Sequence, residues 1–185
     1  MKYFESELWD RFCKGDKEAF RCMYELYADR LYRYACKFSP DREKAADSLH
    51  DLFTTLFADR KTLYRPDNLL PYLMRVLRNR ILRSEKKYLY DSIDDYSFLL
   101  EPASEEPAYD EQDFMKYKRH CVRNAIRQLS SRQKEIIYLR YFNEFSNEEA
   151  AQIMGISYQS ACNTLYRAIE SLRKKIPNWL GIRNL

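Results

Sequence analysis

The sequence predicts an all-α protein. Two small helical domains are joined by a flexible acidic linker, and the C-terminal domain ends in a helix-turn-helix. Three observations carry this. Glycine occurs only at Gly15, Gly155 and Gly181, and long stretches free of Gly and Pro repeat apolar residues every three and four positions, the period of a helix. Nine acids (Asp91, Asp94, Asp95, Glu101, Glu105, Glu106, Asp110, Glu111 and Asp113) stand between 91 and 113 with no Lys or Arg among them. Residues 146–157 hold two helix-start signals on either side of a glycine.

Charge follows the same division. The chain has 185 residues and a net charge of +4, so with −9 in the linker the remainder carries +13. Two basic bodies on an acidic tether suit a phosphate backbone. Cys13, Cys22, Cys36, Cys121 and Cys162 form no CxxC pair. They read as idle or buried thiols in a reducing compartment, with neither disulfide frame nor metal site. No apolar signal region opens the chain and no 18-residue apolar run occurs in it, so a soluble cytoplasmic protein is expected.

Residues 1–90 are expected to form the first domain. A helix starts after Asp16, a residue suited to cap it, and Phe20, Tyr24, Tyr27, Leu31, Tyr34 and Ala35 continue as an apolar stripe read as core. Pro40-Asp41 stops it. The next helix covers about 42–58, with Ala45, Leu49, Leu52, Phe53 and Leu56 inward and Asp47, His50 and Asp51 together on another face. By composition alone these three are a solvated polar face, too few and too simply placed for a catalytic site.

The loop 59–67 mixes Arg60, Lys61 and Arg65 with Tyr64. From Asn68 or Leu69 to about Tyr88 a helix follows, with Pro71 tolerated in its first turn. It carries Arg75, Arg78, Arg80, Arg83, Lys86 and Lys87 against one acid, Glu85. Cations with interleaved aromatics suit single-stranded nucleic acid, where bases stack and phosphates are tracked. A solvated basic helix has the same composition, so the run alone does not decide.

Residues 91–113 lack apolar periodicity and read as linker, reaching at most roughly 75–80 Å when extended. Ile93, Phe98, Leu99 and Leu100 within it are expected to dock transiently. The second domain, 114–185, opens with a helix from Phe114 that turns Val122, Ala125, Ile126 and Leu129 inward. Ser130 and Ser131 cap the next. Ser146 and Glu149 form a capping box for a helix starting at Asn147. Gly155 ends that helix after two turns, Ile156 plugs the corner, and Ser157 caps the last helix, 158–174. Trp179 in the tail is expected to pack on this domain.

Two short helices on a glycine corner are the form of a DNA-reading module whose second helix enters the major groove. Its inner face is Ala161, Leu165, Ala168, Ile169 and Leu172. Its outer face is Tyr158, Gln159, Ser160, Asn163, Tyr166, Arg167, Arg173, Lys174 and Lys175, groups that can reach base edges or phosphates. An ordinary helical hairpin with a solvated face is the competing reading.

Taken in order, these segments resemble the bacterial RNA polymerase sigma factors of the sigma-70 family, extracytoplasmic-function type, over nearly the whole chain. Gly15-Asp16-x-x-Ala19-Phe20-x-x-x-Tyr24 is similar to the family's opening motif. Asp47-Ser48-Leu49-His50-Asp51-Leu52-Phe53 is similar to its Asp-Leu-Val-Gln-Asp-Val-Phe, with His50 in place of Gln. The resemblance makes Asp47, His50 and Asp51 contacts to the clamp helices of core RNA polymerase. Tyr72-Leu73-Met74-Arg75-Val76-Leu77-Arg78-Asn79 is similar to Trp-Leu-x-x-Ile-Ala-Arg-Asn. It implies that Arg60, Lys61, Tyr64, Arg75, Arg78, Asn79 and Arg83 meet the promoter −10 element, where one base is flipped and the duplex melts. The helix-turn-helix is similar to the −35 reader. Ser157-x-x-Ser160-Ala161 stands for Ser-x-x-Thr-Val, and Cys162-Asn163-Thr164 replaces a more basic triplet.

The implied partners are core RNA polymerase, promoter DNA and an anti-sigma factor. The linker's acids suit a positively charged channel inside polymerase. No small-molecule substrate, cofactor or metal is expected. A second reading is a helix-turn-helix regulator of the response-regulator output type, which Ser146-Asn147-Glu148-Glu149-Ala150 also resembles. It needs a sensing domain of alternating strands and helices, and residues 1–90 show none. An enzyme acting on nucleic acid finds no support, since clustered carboxylates with His, a Gly-rich phosphate loop and zinc ligands are all missing from the sequence.

Overall fold

A computed structural model of the chain describes residues 2–38, 41–84 and 109–176. Among these the secondary structure is helical: α1 (Lys2–Cys13), α2 (Lys17–Ala35), α3 (Arg42–Asp59), α4 (Leu69–Ser84), α5 (Tyr109–Arg127), α6 (Ser131–Ile137), α7 (Asn147–Met154) and α8 (Tyr158–Lys175). The chain divides by proximity into two units. One contains α1 to α4 with Gln152–Gly155; the other contains α5, α6, the start of α7 and α8. Most of the acidic linker, with Ile93, Phe98, Leu99 and Leu100, lies outside the described residues. So do Lys86, Lys87, Tyr88 and Trp179.

The sequence reading places no helix before Asp16, yet α1 is there. Its signal is short: Leu8, Trp9 and Phe12 are buried on one side of barely three turns. Partners far along the chain make that side worth burying. Trp9 meets Tyr72 of α4 edge-on at 5.9 Å, and Phe12 stacks on Phe20 of α2 at 6.0 Å. The aromatic stripe of α2 needs one adjustment. Met23 joins Tyr27, Leu31 and Tyr34 in the core, whereas Tyr24 stays exposed at its edge, its ring 4.8 Å from that of Phe53. The Tyr27 hydroxyl donates to Glu5 at 2.9 Å, and burial together with that bond pushes the phenol well above its ordinary range.

The α1–α2 corner is built by the backbone. Gly15 takes φ 88, letting its N–H donate to the Phe12 carbonyl and the Asp16 N–H to the Arg11 carbonyl. This is the glycine-terminated helix end in which two orphan carbonyls are recovered. Asp16 then starts α2, accepting from the backbone of Glu18 and Ala19 at 2.9 and 3.2 Å and from Arg11 Nε at 2.8 Å. Asp41 caps α3 in the same way.

In the second unit α5 begins at Tyr109, five residues before the expected Phe114. Ala125, Ile126 and Leu129 are buried as expected, and Val122 and Leu172 pack on Ile126. Ser130 and Gln133 form a full capping box on α6. After Ile137 the helix widens into a π turn over Tyr138–Phe142, with the Asn143 N–H reaching back to Tyr138. No residue type announces that turn. The rings of Tyr138 and Phe142, four apart, stack across it at 6.1 Å.

Two predictions follow from the corners. The Arg11 bond and the capping N–H groups hold the Asp16 carboxyl below its ordinary 3.8. A carboxyl lowered by folding stabilises above its unfolded pKa and loses that contribution as pH falls through the folded value. The stability gap between wild type and Asp16→Asn is therefore widest at neutral pH and closes in strong acid, measured by thermal melts across that range. At Gly155, φ is 65 and an added Cβ meets nothing within 4 Å. Gly155→Ala consequently costs about 1–2 kcal/mol by conformation alone, and Gly155→Asn costs less. Denaturant titration ranks the two, and equal losses would contradict a purely conformational origin.

Candidate nucleic-acid interface

Helix α8 owes its orientation to three linked devices. Ser146 and Glu149 exchange hydrogen bonds across the first turn of α7, at 2.8 Å from the Ser146 N–H to the Glu149 carboxylate and 3.2 Å from the Glu149 N–H to the Ser146 hydroxyl. At the other end the Gly155 N–H reaches the Gln152 carbonyl and the Ile156 N–H reaches the Ala151 carbonyl. Ser157 then accepts from the Ser160 N–H at 3.2 Å and opens α8. A tie between the two helices, Asn147 Nδ2 to Cys162 Sγ at 3.6 Å, was not foreseeable from the sequence.

Ala161 and Ala168 are buried on the inner face of α8, with Leu165, Ile169 and Leu172 partly so. Tyr158, Gln159, Ser160, Asn163, Tyr166, Arg167, Arg173 and Lys174 are all exposed. Tyr166 is 66% exposed, far more than folding asks of an aromatic. Within this face Gln159 Nε2 donates to Asn163 Oδ1 at 3.3 Å, and the Ser160 hydroxyl accepts from Ser157 at 2.9 Å. Both amides retain donors and acceptors for a base edge. The Tyr158 phenol is raised by its hydrogen bond with the Cys162 thiol. Arg173 pairs with Glu170 at 3.6 Å, while Lys175 Nζ bonds the Gln128 carbonyl and joins the C-terminal ends of α8 and α5.

In the first unit Asp47, His50 and Asp51 are exposed on α3, the two aspartates one turn apart. Asp51 is engaged from α4. Arg80 Nη1 lies 3.3 Å from Asp51, and Arg80 Nη2 donates to the Thr55 hydroxyl at 2.6 Å. Arg80 belongs to the basic run of the sequence, but its engagement with Asp51 and Thr55 is a tertiary fact that the run does not announce.

The expected −10 residues fare differently from one another. Tyr64, at the tip of the loop, is 93% exposed. Lys61, Arg75, Asn79 and Arg83 are exposed, and Arg78 is half-buried. Arg60 turns back on its own domain. Its guanidinium donates to the Phe57 carbonyl at 2.6 Å and lies 4.3 Å over the Phe57 ring, closing the end of α3. Beside the loop a hollow of about 360 Å³ is lined by Glu5, Ser6, Trp9, Arg65, Asp67 and Leu69. Among the described residues no group of three or more His, Cys, Asp or Glu could hold a metal, and no helix is long and apolar enough to cross a membrane.

Comparison with known proteins matches the family model "Sigma-70 region 2" to residues 23–88 and "Sigma-70, region 4" to residues 119–172. Together they span more than half of the chain. The ECF RNA polymerase sigma factor SigM of Bacillus subtilis is 25% identical over 154 residues, 82% of this chain and 91% of SigM. The chain belongs to the sigma-70 family, in its extracytoplasmic-function group.

A further sigma relative, SigV of Bacillus subtilis, is 26% identical across 77% of this chain and 82% of its own. The fold is shared with CnrH, solved in complex with the cytosolic domain of CnrY, at a TM-score of 0.60, 20% identity and coverage of 90% and 93%. It is shared too with RpoE of Bartonella quintana, solved with the anti-sigma factor NepR, at 0.57, 24%, 89% and 98%. In this sigma factor region 2 holds α3, α4 and most of α2, and region 4 holds α6, α7 and most of α8.

The start of region 4's last helix rests on one hydroxyl. Ser157→Ala should cost about 1 kcal/mol, and Ser157→Asp should restore most of it. Melting temperature and helical signal measure both, and an unchanged Ser157→Ala melt would show that the cap contributes nothing.

Proposed function

We propose that this protein is the promoter-recognition subunit of a bacterial RNA polymerase. It binds the core enzyme and directs it to promoters for initiation. The observation that carries the reading is the pair of sigma matches, region 2 and then region 4 in that order along the chain. The region 2 match over residues 23–88 also occupies the place where a response regulator would need its sensing domain.

The division of labour follows from chemistry and placement. Asp47, His50 and Asp51 on α3 meet core polymerase. Lys61, Tyr64, Arg75, Arg78, Asn79 and Arg83 meet the −10 DNA, where an aromatic as exposed as Tyr64 supplies a stacking surface for an unpaired base. Arg60 serves that site by closing α3 beneath the loop. Tyr158, Gln159, Ser160, Asn163, Tyr166, Arg167, Arg173 and Lys174 face the −35 duplex, the amides suited to base edges and the cations to phosphates. Residues 1–90 and 114–185 are the two binding bodies, and 91–113 the tether that lets two weak contacts reinforce each other. CnrH and RpoE were solved with CnrY and the anti-sigma factor NepR; an anti-sigma partner is proposed here also. The protein acts in the cytoplasm and catalyses no reaction of its own.

Capture of core polymerase tests the reading. Wild type should retain the enzyme, and the double reversal Asp47→Lys/Asp51→Lys should lose it with helical content unchanged. On a promoter, Asn163→Ala should weaken recruitment, whereas Asn79→Ala should recruit normally and open less, seen as reduced permanganate reactivity of unpaired thymines. A double reversal that still assembles at wild-type affinity would place the dock elsewhere.

A further inference from the structure

Arg80 occupies an unusual position between two surfaces with different partners. Its backbone belongs to α4, three residues before Arg83 and next to Asn79, both exposed. Residues three apart are neighbours on a helix, so Arg80 flanks the strip proposed to meet DNA. Its side chain, however, points away from that strip to α3. One guanidinium nitrogen pairs with Asp51 at 3.3 Å and the other donates to Thr55 at 2.6 Å. The pair is open to solvent, with Arg80 31% and Asp51 63% exposed at the side chain. Exposed pairs of this kind are weak and exchange readily for a better partner.

We propose that Arg80 is a further DNA-phosphate contact held back in the free protein by Asp51 and Thr55. It is released when core polymerase takes the Asp51 carboxylate. The proposal rests on the reading of Asp51 as part of the polymerase dock. Asp51 cannot serve a cation of polymerase and Arg80 at full strength together. An arginine retains its charge at every physiological pH, so the freed guanidinium turns to the nearest anion, the phosphates along α4. Binding at α3 thus adds one cation to the DNA face of α4. The coupling is reciprocal by linkage, so DNA held at α4 would in turn present Asp51 unpaired to polymerase.

The masking half is testable without polymerase. The full chain is titrated into a fluorescent single-stranded oligothymidylate at low salt. Asp51→Asn should bind about two- to five-fold tighter, the range an exposed ion pair supports. Its plot of log affinity against log salt should steepen by about 0.7, one extra phosphate contact on a single strand. Arg80→Gln alone should change little, because the guanidinium is already occupied. The Asp51→Asn gain should vanish when Arg80→Gln is added. Asp47→Asn removes the same charge one turn away and serves as the control. Equal gains from Asp47→Asn and Asp51→Asn, or a gain that survives Arg80→Gln, would overturn the proposal. Polymerase capture by Asp51→Asn reads the dock separately. Intact masking with wild-type capture would remove the release by polymerase while leaving the sigma assignment untouched.

Discussion

The corner between α7 and α8 constrains everything that region 4 presents. A helix must stop after two turns, recover its last carbonyls and restart at a defined angle within three residues. Gly155 provides the left-handed backbone, at φ 65, that an L side chain adopts only with strain. The Ser146–Glu149 box at one helix start and the Ser157 cap at the other each satisfy backbone N–H groups left open there. Because these bonds are local, α8 is aimed by the backbone and its own caps. Its outer face is then left to polar groups that folding does not use.

The first unit solves the same problem with Gly15 and Asp16 and adds a charge to it. Asp16 serves the α2 N–H groups and Arg11 at once, which links the end of α1 to the start of α2. Behind this corner the aromatic cluster of Trp9, Phe12, Phe20 and Phe57 draws on α1, α2 and α3. The loop bearing Tyr64 leaves α3 where Arg60 closes its end. A side chain whose charge suits DNA is thus engaged, in the free chain, by the Phe57 carbonyl and ring at the end of α3.

Magnitudes explain how surfaces so rich in charge remain available to partners. Exposed ion pairs contribute about 0–1 kcal/mol. The pairs on α3, α4 and α8 are of that kind, so partners can replace them at small cost. Neutralising phosphates releases condensed counterions, and that gain accumulates with each contact. The fold therefore binds its surface cations loosely, and DNA or polymerase can reassign them.

Read alone, the sequence determined the helical class, the two basic bodies and the region 4 corner. These depend on local signals: a glycine where φ is positive, serines and aspartates that cap, and apolar residues at helical spacing. The exposed face of α8 was legible for the same reason, since a capped helix with one alanine and leucine stripe can bury only that stripe. Tertiary structure decided what local signals cannot encode. Helix α1 is short and has no capping signal before it, and its buried side is settled by packing on Phe20 of the next helix and on Tyr72, far along the chain. The π turn at Tyr138–Phe142, across which the rings of Tyr138 and Phe142 stack, has no signal in the sequence. The fates of Arg60 and Arg80, one closing α3 and the other holding Asp51, depend on which acceptors lie within reach of a long, flexible cation. That reach is set by the packing of helices, which no residue type or spacing records.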